Sequence, residues 1–87
     1  MSELDPNGYA LGNLALSPAV RAHALKLLAA TRRAETLQAL LITSGRAMGF
    51  CEALEVLGAL NPRDLEGLYI ELEAAGLQRQ EQMQKAQ

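Results

Sequence analysis

Several things are scarce in this sequence, and each scarcity narrows what it can be. There is no tryptophan, one phenylalanine and two tyrosines, so there is no run of rings on which nucleic-acid bases could stack. Cys51 is the sole cysteine, which excludes an internal disulfide. His23 is the sole histidine, and with one thiol it cannot complete a zinc-binding set. No apolar stretch approaches the length needed to span a bilayer. The opening MSELDPNGYALG lacks the positive end and apolar run of a signal peptide. There is no glycine-rich phosphate loop, and Ser17, Ser44 and His23 lie in no context for acyl transfer. The expectation is a cytoplasmic chain that is not an enzyme, with no catalytic residues, cofactor, metal or membrane span.

What is present points to helices. Apolar residues make up 49% and charged residues 21% of the 87, an ordinary globular balance that suits one domain. Alanine and leucine dominate the apolar share, and these are helix formers rather than strand formers. Such Ala/Leu/Arg usage also suggests a bacterial, GC-rich source. A domain this short buries a small core, so a second copy would help it. Net charge is −2, which gives no bulk attraction to nucleic acid. Its distribution is uneven. Residues 18–50 hold Arg21, Lys26, Arg32, Arg33 and Arg46 against Glu35, five minus one, or +4. Residues 51–87 hold Glu52, Glu55, Asp64, Glu66, Glu71, Glu73 and Glu81 against Arg63, Arg79 and Lys85, three minus seven, or −4. Two halves of opposite sign suit opposite partners, or each other in a dimer.

Along the chain, Pro6–Asn7–Gly8 marks a turn, within an irregular arm over residues 1–16 pinned to the core by Tyr9 and Leu11. Ser17–Pro18 is a helix opening: a hydroxyl to cap free amides, then a proline where no amide is needed. Val20, Ala24, Leu27, Ala30, Ala34, Leu37 and Leu41 then recur at helical spacing. This is one helix to about Thr43 or two with a break at Thr31–Arg32–Arg33. Ser44–Gly45 is expected to end it. A further helix carries Ala47, Phe50, Cys51, Leu54 and Leu57 on one face and closes at Gly58. Asn61–Pro62, with Asp64 in the first turn, opens the last helix, which buries Leu65, Leu68, Tyr69, Leu72 and Ala75. Gly76–Leu77 has the pattern of a left-handed glycine stop. The helical domain thus covers residues 17–77, and residues 78–87 are a polar tail, frayed or disordered. The fold class expected is all-α, three to five helices with a helix-turn-helix-like core. Its core is expected to hold Val20, Leu27, Leu37, Leu41, Phe50, Leu54, Leu57, Leu65, Leu68 and Leu72. Leu25, Leu28, Leu40 and Ile42 add apolar surface beyond what one small domain needs, so a homodimer is expected.

From residue 53 the pieces are Leu57–Gly58, a turn at Ala59–Leu60–Asn61, and Leu72-Glu73-Ala74-Ala75-Gly76-Leu77. This order over residues 53–77 resembles the core of helix-turn-helix and winged-helix transcriptional regulators, including the multiple-antibiotic-resistance regulator type. The turn is one residue longer than in that family, and nothing after Leu77 has the alternating pattern of a wing. Any amphipathic helix with a glycine stop also carries such a pattern. The resemblance implies that the outward residues of the last helix face the partner: Arg63, Glu66, Gly67, Ile70 and Glu73. DNA reading asks for Arg, Lys, Asn, Gln or Ser there, whereas Glu73 faces phosphate repulsion and Ile70 has little use in a groove.

Two classes of function follow. In the first, the chain is a small non-enzymatic regulatory protein that binds another protein through that acidic surface. In the second, it is a dimeric DNA-binding regulator of helix-turn-helix type, with Arg32, Arg33 and Arg46 on phosphates. Five spread cations are more often a solvated face than a phosphate site. The acidic last helix favours the first class. Cys51 and His23 are expected to be packing or surface residues, with Cys51 an inert core thiol.

Overall fold

The computed structural model describes residues 11, 12 and 14–86, and among them it is all-α: three helices and no strand. They are α1 (Pro18–Arg33), α2 (Leu37–Val56) and α3 (Pro62–Lys85). Tyr9 and the Pro6–Gly8 turn lie outside the described residues.

Each helix starts where its sequence supplies a cap. Ser17 Oγ accepts from the Val20 amide at 3.3 Å, with Pro18 in the first turn. Asn61 Oδ1 accepts from the Asp64 amide at 2.9 Å while its Nδ2 donates to Asp64 Oδ2 at 2.6 Å, with Pro62 in the first turn. That reciprocal pair satisfies two polar groups of an otherwise open helix end. The break in the first long segment falls after Arg33 rather than at Thr31–Arg33. Thr36 caps α2 through its hydroxyl, which accepts from the Ala39 amide at 3.0 Å. Thr31 instead turns inward, and its hydroxyl donates to the Leu27 carbonyl at 2.8 Å.

Two expected stops are not stops. The helix runs straight through Ser44–Gly45, because Leu40, Thr43, Ala47, Cys51 and Leu54 are all buried at spacings of three, four, four and three. An interior glycine costs about 1 kcal/mol against alanine, less than one buried leucine contributes at about 1.5–3 kcal/mol. Gly76 is likewise helical, and α3 continues to Lys85. Arg79 explains the extension: its Nε donates to the Ala34 carbonyl at 2.8 Å, and its Nη1 donates to Gln82 Oε1 at 3.2 Å. A cation there also satisfies a carbonyl at the negative end of α1. Among the described residues the only one with positive φ is Gly58, at 63°. There the Gly58 amide donates to Glu55 and the Ala59 amide to Leu54, the paired bonds of a left-handed glycine cap.

Four contacts set the topology. The His23 and Phe50 rings lie 4.7 Å apart, so α2 runs back along α1. Gly76 packs against Ser44, so α3 runs back along α2. Leu14 sits on Gly67 near the start of α3, while Ala34 receives Arg79 near its end. The result is an up-down-up bundle of three helices, each touching the other two. Its core is Leu11, Ala24, Leu27, Leu28, Ala47, Cys51, Leu54, Leu68, Leu72 and Ala75. Val20, Leu25, Phe50, Leu60, Leu65 and Tyr69 are half-buried against it. Leu11 is held from outside too, because Arg21 donates to the Leu11 and Leu14 carbonyls at 2.9 and 2.8 Å.

Leu37, Leu41 and Leu57, expected in the core, are 54%, 62% and 76% exposed. The first two fail for one reason. Continuing the stripe of α1 in phase through residues 34–43 puts Leu37 and Leu41 inward, whereas the connection Ala34–Thr36 restarts the helix and turns Leu40 inward instead. Leu57 lies beyond the last helical turn. Of the four residues expected to be surplus, Leu28 and Leu40 are core and Leu25 is half-buried, which leaves Ile42 exposed.

Leu72 is 4% exposed at the centre of α3, so Leu72→Ala should cost about 2–5 kcal/mol. A midpoint shift in urea worth less than about 0.5 kcal/mol would show that Leu72 is not packed. Glycine substitutions should divide by position. A Cβ on Gly49 meets nothing within 4 Å, but one on Gly67 comes within 2.7 Å of a Leu14 methyl. Gly49→Ala in dilute protein should therefore add about 0.5–1 kcal/mol. Gly67→Ala should give no such gain, because Leu14 must move.

Candidate protein-binding groove

An unfilled apolar groove follows from the phase of α2. Its buried residues face α1 and α3, so Leu37, Leu41, Ser44 and Met48, at spacings of four, three and four, form the edge beside α3. Across from them on α3 stand Glu73, Gly76, Leu77 and Gln80. Between these edges is a groove of about 270 Å³, floored by Leu40, Ala47 and Leu72, with Thr31 at one end. Gly76 makes the middle shallow-walled: a Cβ there would stand 3.4 Å from Ser44 Oγ. Leu41 is 62% and Leu77 63% exposed, and Leu37 and Met48 are also open to solvent. Large apolar side chains set side by side with a polar surround are characteristic of recognition surfaces.

The residues singled out from the sequence separate here. Arg63, Glu66, Ile70 and Glu73 are exposed on the outer face of α3, and Glu73 forms part of the groove wall. Gly67 is not on that free face. It is half-buried under Leu14, because the arm before α1 folds back across the start of α3. The three arginines do not converge on α3's outer face. Arg33 is exposed in the last turn of α1, and Arg32 lies beside Ala75, Gln78, Arg79 and Gln82. Arg46 is exposed on α2, one turn before Phe50 and so towards α1.

The residues missed were Leu37, Leu41, Met48 and Leu77. One signal was legible. Between Gln38 and Glu52 the sole charge is Arg46, so this helix is apolar around most of its circumference. A helix of that kind has more than one face to cover.

The groove's electrostatics are one-sided. Glu73 is its sole charged wall residue. Glu52 and Glu55 follow Met48 by one and two turns, and both act on the Tyr69 phenol. Burial first, then Cys51, Glu55 and Glu52, raise that phenol above its ordinary range. The one ion pair among the described residues is Lys85–Glu81 at 4.0 Å, far down α3. No cluster of three or more metal-ligating side chains exists among the described residues, and no described helix is long and apolar enough to cross a membrane. Comparison with protein-family models, curated proteins and solved structures finds no match for this chain.

Cys51 is fully buried, and burial pushes its thiol from an ordinary 9.0 up to about 11. The unfolded chain thus loses this proton first as pH rises. The stability that depends on the neutral thiol is intact below 9.0 and is lost between 9.0 and about 11, since the native state then holds more protons. Tyr69 acts in the same direction at higher pH, so Cys51→Ala is the necessary comparison. Urea midpoints should fall less steeply with pH in Cys51→Ala than in the parent. Iodoacetamide at about pH 8 should label Cys51 slowly until denaturant is added.

Proposed function

We propose that this chain is a small non-enzymatic regulatory protein of the cytoplasm that acts by binding another protein, as an inhibitor, antiactivator or adaptor. The observation that carries this reading is the groove between α2 and α3, with Leu37, Leu41, Met48 and Leu77 left open around a floor of core residues. Exposing these side chains has no benefit within the monomer, and covering each removes apolar area worth about 25 cal/mol per Å². The acidic outer face of α3 sits beside the groove and suits steering and selection of a partner. The long antiparallel pairing of α2 with α3 gives further support, because it commits one side of α3 to α2 along most of its length. The arginines that would hold phosphates lie elsewhere on the bundle.

Self-association belongs to the same proposal, through the other side of α2. Ile42 and Val56 are exposed there, and Gly45 and Gly49 have open space where a Cβ would project. Neither glycine is required by the fold, so both together forgo about 1–2 kcal/mol of helix stability. A second helix approaching that face closely would use the space.

Two assays separate protein binding from DNA binding. No duplex should be retained even at low salt, whereas a DNA regulator would show affinity falling steeply with salt. Its slope would flatten by about one for each of Arg32→Ala and Arg33→Ala. Affinity capture followed by mass spectrometry should lose its partner when Leu41→Ser and Leu77→Ser are combined, and also when Glu66→Lys and Glu73→Lys are combined. Salt-sensitive, sequence-selective retention of duplex by the parent chain would overturn the reading. Sedimentation at tens of micromolar should show a dimer that Gly45→Leu with Gly49→Leu converts to monomer; a parent chain that is monomeric throughout removes the self-association.

A further inference from the structure

The groove is chemically different at its two ends. At the end nearest the α1–α2 connection its walls are Leu37 and Leu41 on α2 and Leu77 and Gln80 on α3. Towards the α2–α3 connection the same face of α2 continues from Met48 to Glu52 and Glu55. The facing stripe of α3 runs from Leu77 through Glu73 and Ile70 to Glu66. Because the helices are antiparallel, these carboxylates gather at one end. Glu52, Glu55, Glu66 and Glu73 are all exposed, and none has a cation within 4.0 Å among the described residues. The nearest cation in sequence is Arg63, exposed in the first turn of α3. Like charges left unpaired beside an apolar trough cost the monomer free energy that a cationic partner would recover.

The dimensions suit one occupant. From Leu37 to Met48 is eleven residues, or about 16 Å of wall at 1.5 Å per residue. That length takes about three turns of helix laid along the trough, in the helix-in-groove manner. Met48, unbranched and polarizable, sits where the apolar end gives way to the acidic one and adapts to what lies on it.

We propose that the segment bound in this groove is a basic amphipathic helix of about three turns. Its leucine-like stripe rests on Leu37, Leu41, Met48 and Leu77, and its Lys/Arg-bearing end points towards Glu52, Glu55, Glu66 and Glu73. This rests on the reading that the α2–α3 groove binds a protein, and adds the chemistry and direction of what it binds.

The test uses the full chain and three labelled synthetic peptides with one leucine stripe. One carries lysines at one end, one glutamates and one glutamines. Anisotropy should show the lysine peptide binding at least tenfold tighter than the glutamate peptide, with the gap narrowing as salt rises. Leu41→Ser with Leu77→Ser, both at exposed positions, should abolish binding while circular dichroism is unchanged. Glu52→Gln with Glu73→Gln should weaken the lysine peptide about tenfold and leave the glutamine peptide as before. Moving the lysines to the peptide's other end should reverse its direction, read from line broadening by a nitroxide on one terminus.

Equal binding of all three peptides, lost in the leucine variant, overturns the charge assignment and leaves the groove reading standing. Lysine-peptide binding that ignores the leucine variant overturns the proposal, because it is then attraction to an acidic surface. A chain that binds no peptide, and whose dimer is lost in the leucine variant, has a second copy in the groove and overturns the proposal too.

Discussion

The short connection Ala34–Thr36 is the constraint from which the rest of the bundle follows. Three residues allow α2 to fold back on α1 but leave no freedom to choose its rotation. Once Thr36 caps the new helix, the inward positions are Leu40, Thr43, Ala47, Cys51 and Leu54. A rotation by one residue would bury Leu41, Ser44 and Met48 and expose Leu40, and it would separate Phe50 from His23. Rotation also decides which side chains stay open to solvent, because the face that turns away from α1 carries Leu37, Leu41 and Met48. The core and the groove are two consequences of a single helical phase.

Arg79 holds the other end of the same arrangement. Through the Ala34 carbonyl it ties α3 to the α1–α2 connection, so a segment rich in glutamine stays helical beyond Gly76. The charge-assisted bond does what apolar burial cannot do for polar residues. It also keeps Leu77 and Gln80 in place as the far wall of the groove. The N-terminal side has a comparable clasp in Arg21, which holds Leu11 and Leu14 by their carbonyls and lets Leu14 cover Gly67. Arg21, which charge counting places in the basic segment, and Arg79, which it places in the acidic one, are thus both engaged in holding backbone.

Charge and shape reinforce each other along the α2–α3 hairpin. Antiparallel pairing brings residues distant in sequence, Glu52 and Glu55 from one helix and Glu66 and Glu73 from the next, to a single end. The linear sequence shows only an acidic second half. The fold concentrates part of that acidity beside exposed leucines and places Arg33 in the last turn of α1 and Arg46 on the α1 side of α2, away from it. That separation is the physical basis for favouring a protein partner over a phosphate backbone.

Residues 17–62 show where local signals suffice and where they do not. Ser17–Pro18, Gly58 and Asn61–Pro62 were legible because a cap is a contact between residues three or four apart, and composition alone made an all-helical chain the expectation. Ser44–Gly45 and Gly76 misled, because glycine permits a stop without compelling one, and the outcome depended on burial to either side. The evenly spaced inward residues from Leu40 to Leu54 did carry that information, but only for a reader who had already found the break at Ala34. The charge-poor stretch between Gln38 and Glu52 showed that α2 has a second face to cover, but neither which leucines stay open nor the position of Gly67 under Leu14 was legible. Local sequence determined which segments would be helices and how three of their ends would be made. Tertiary packing decided the continuation of α3 and, together with the Ala34–Thr36 connection, the rotation of α2, and so which leucines were left exposed, because those choices depend on contacts between residues tens of positions apart.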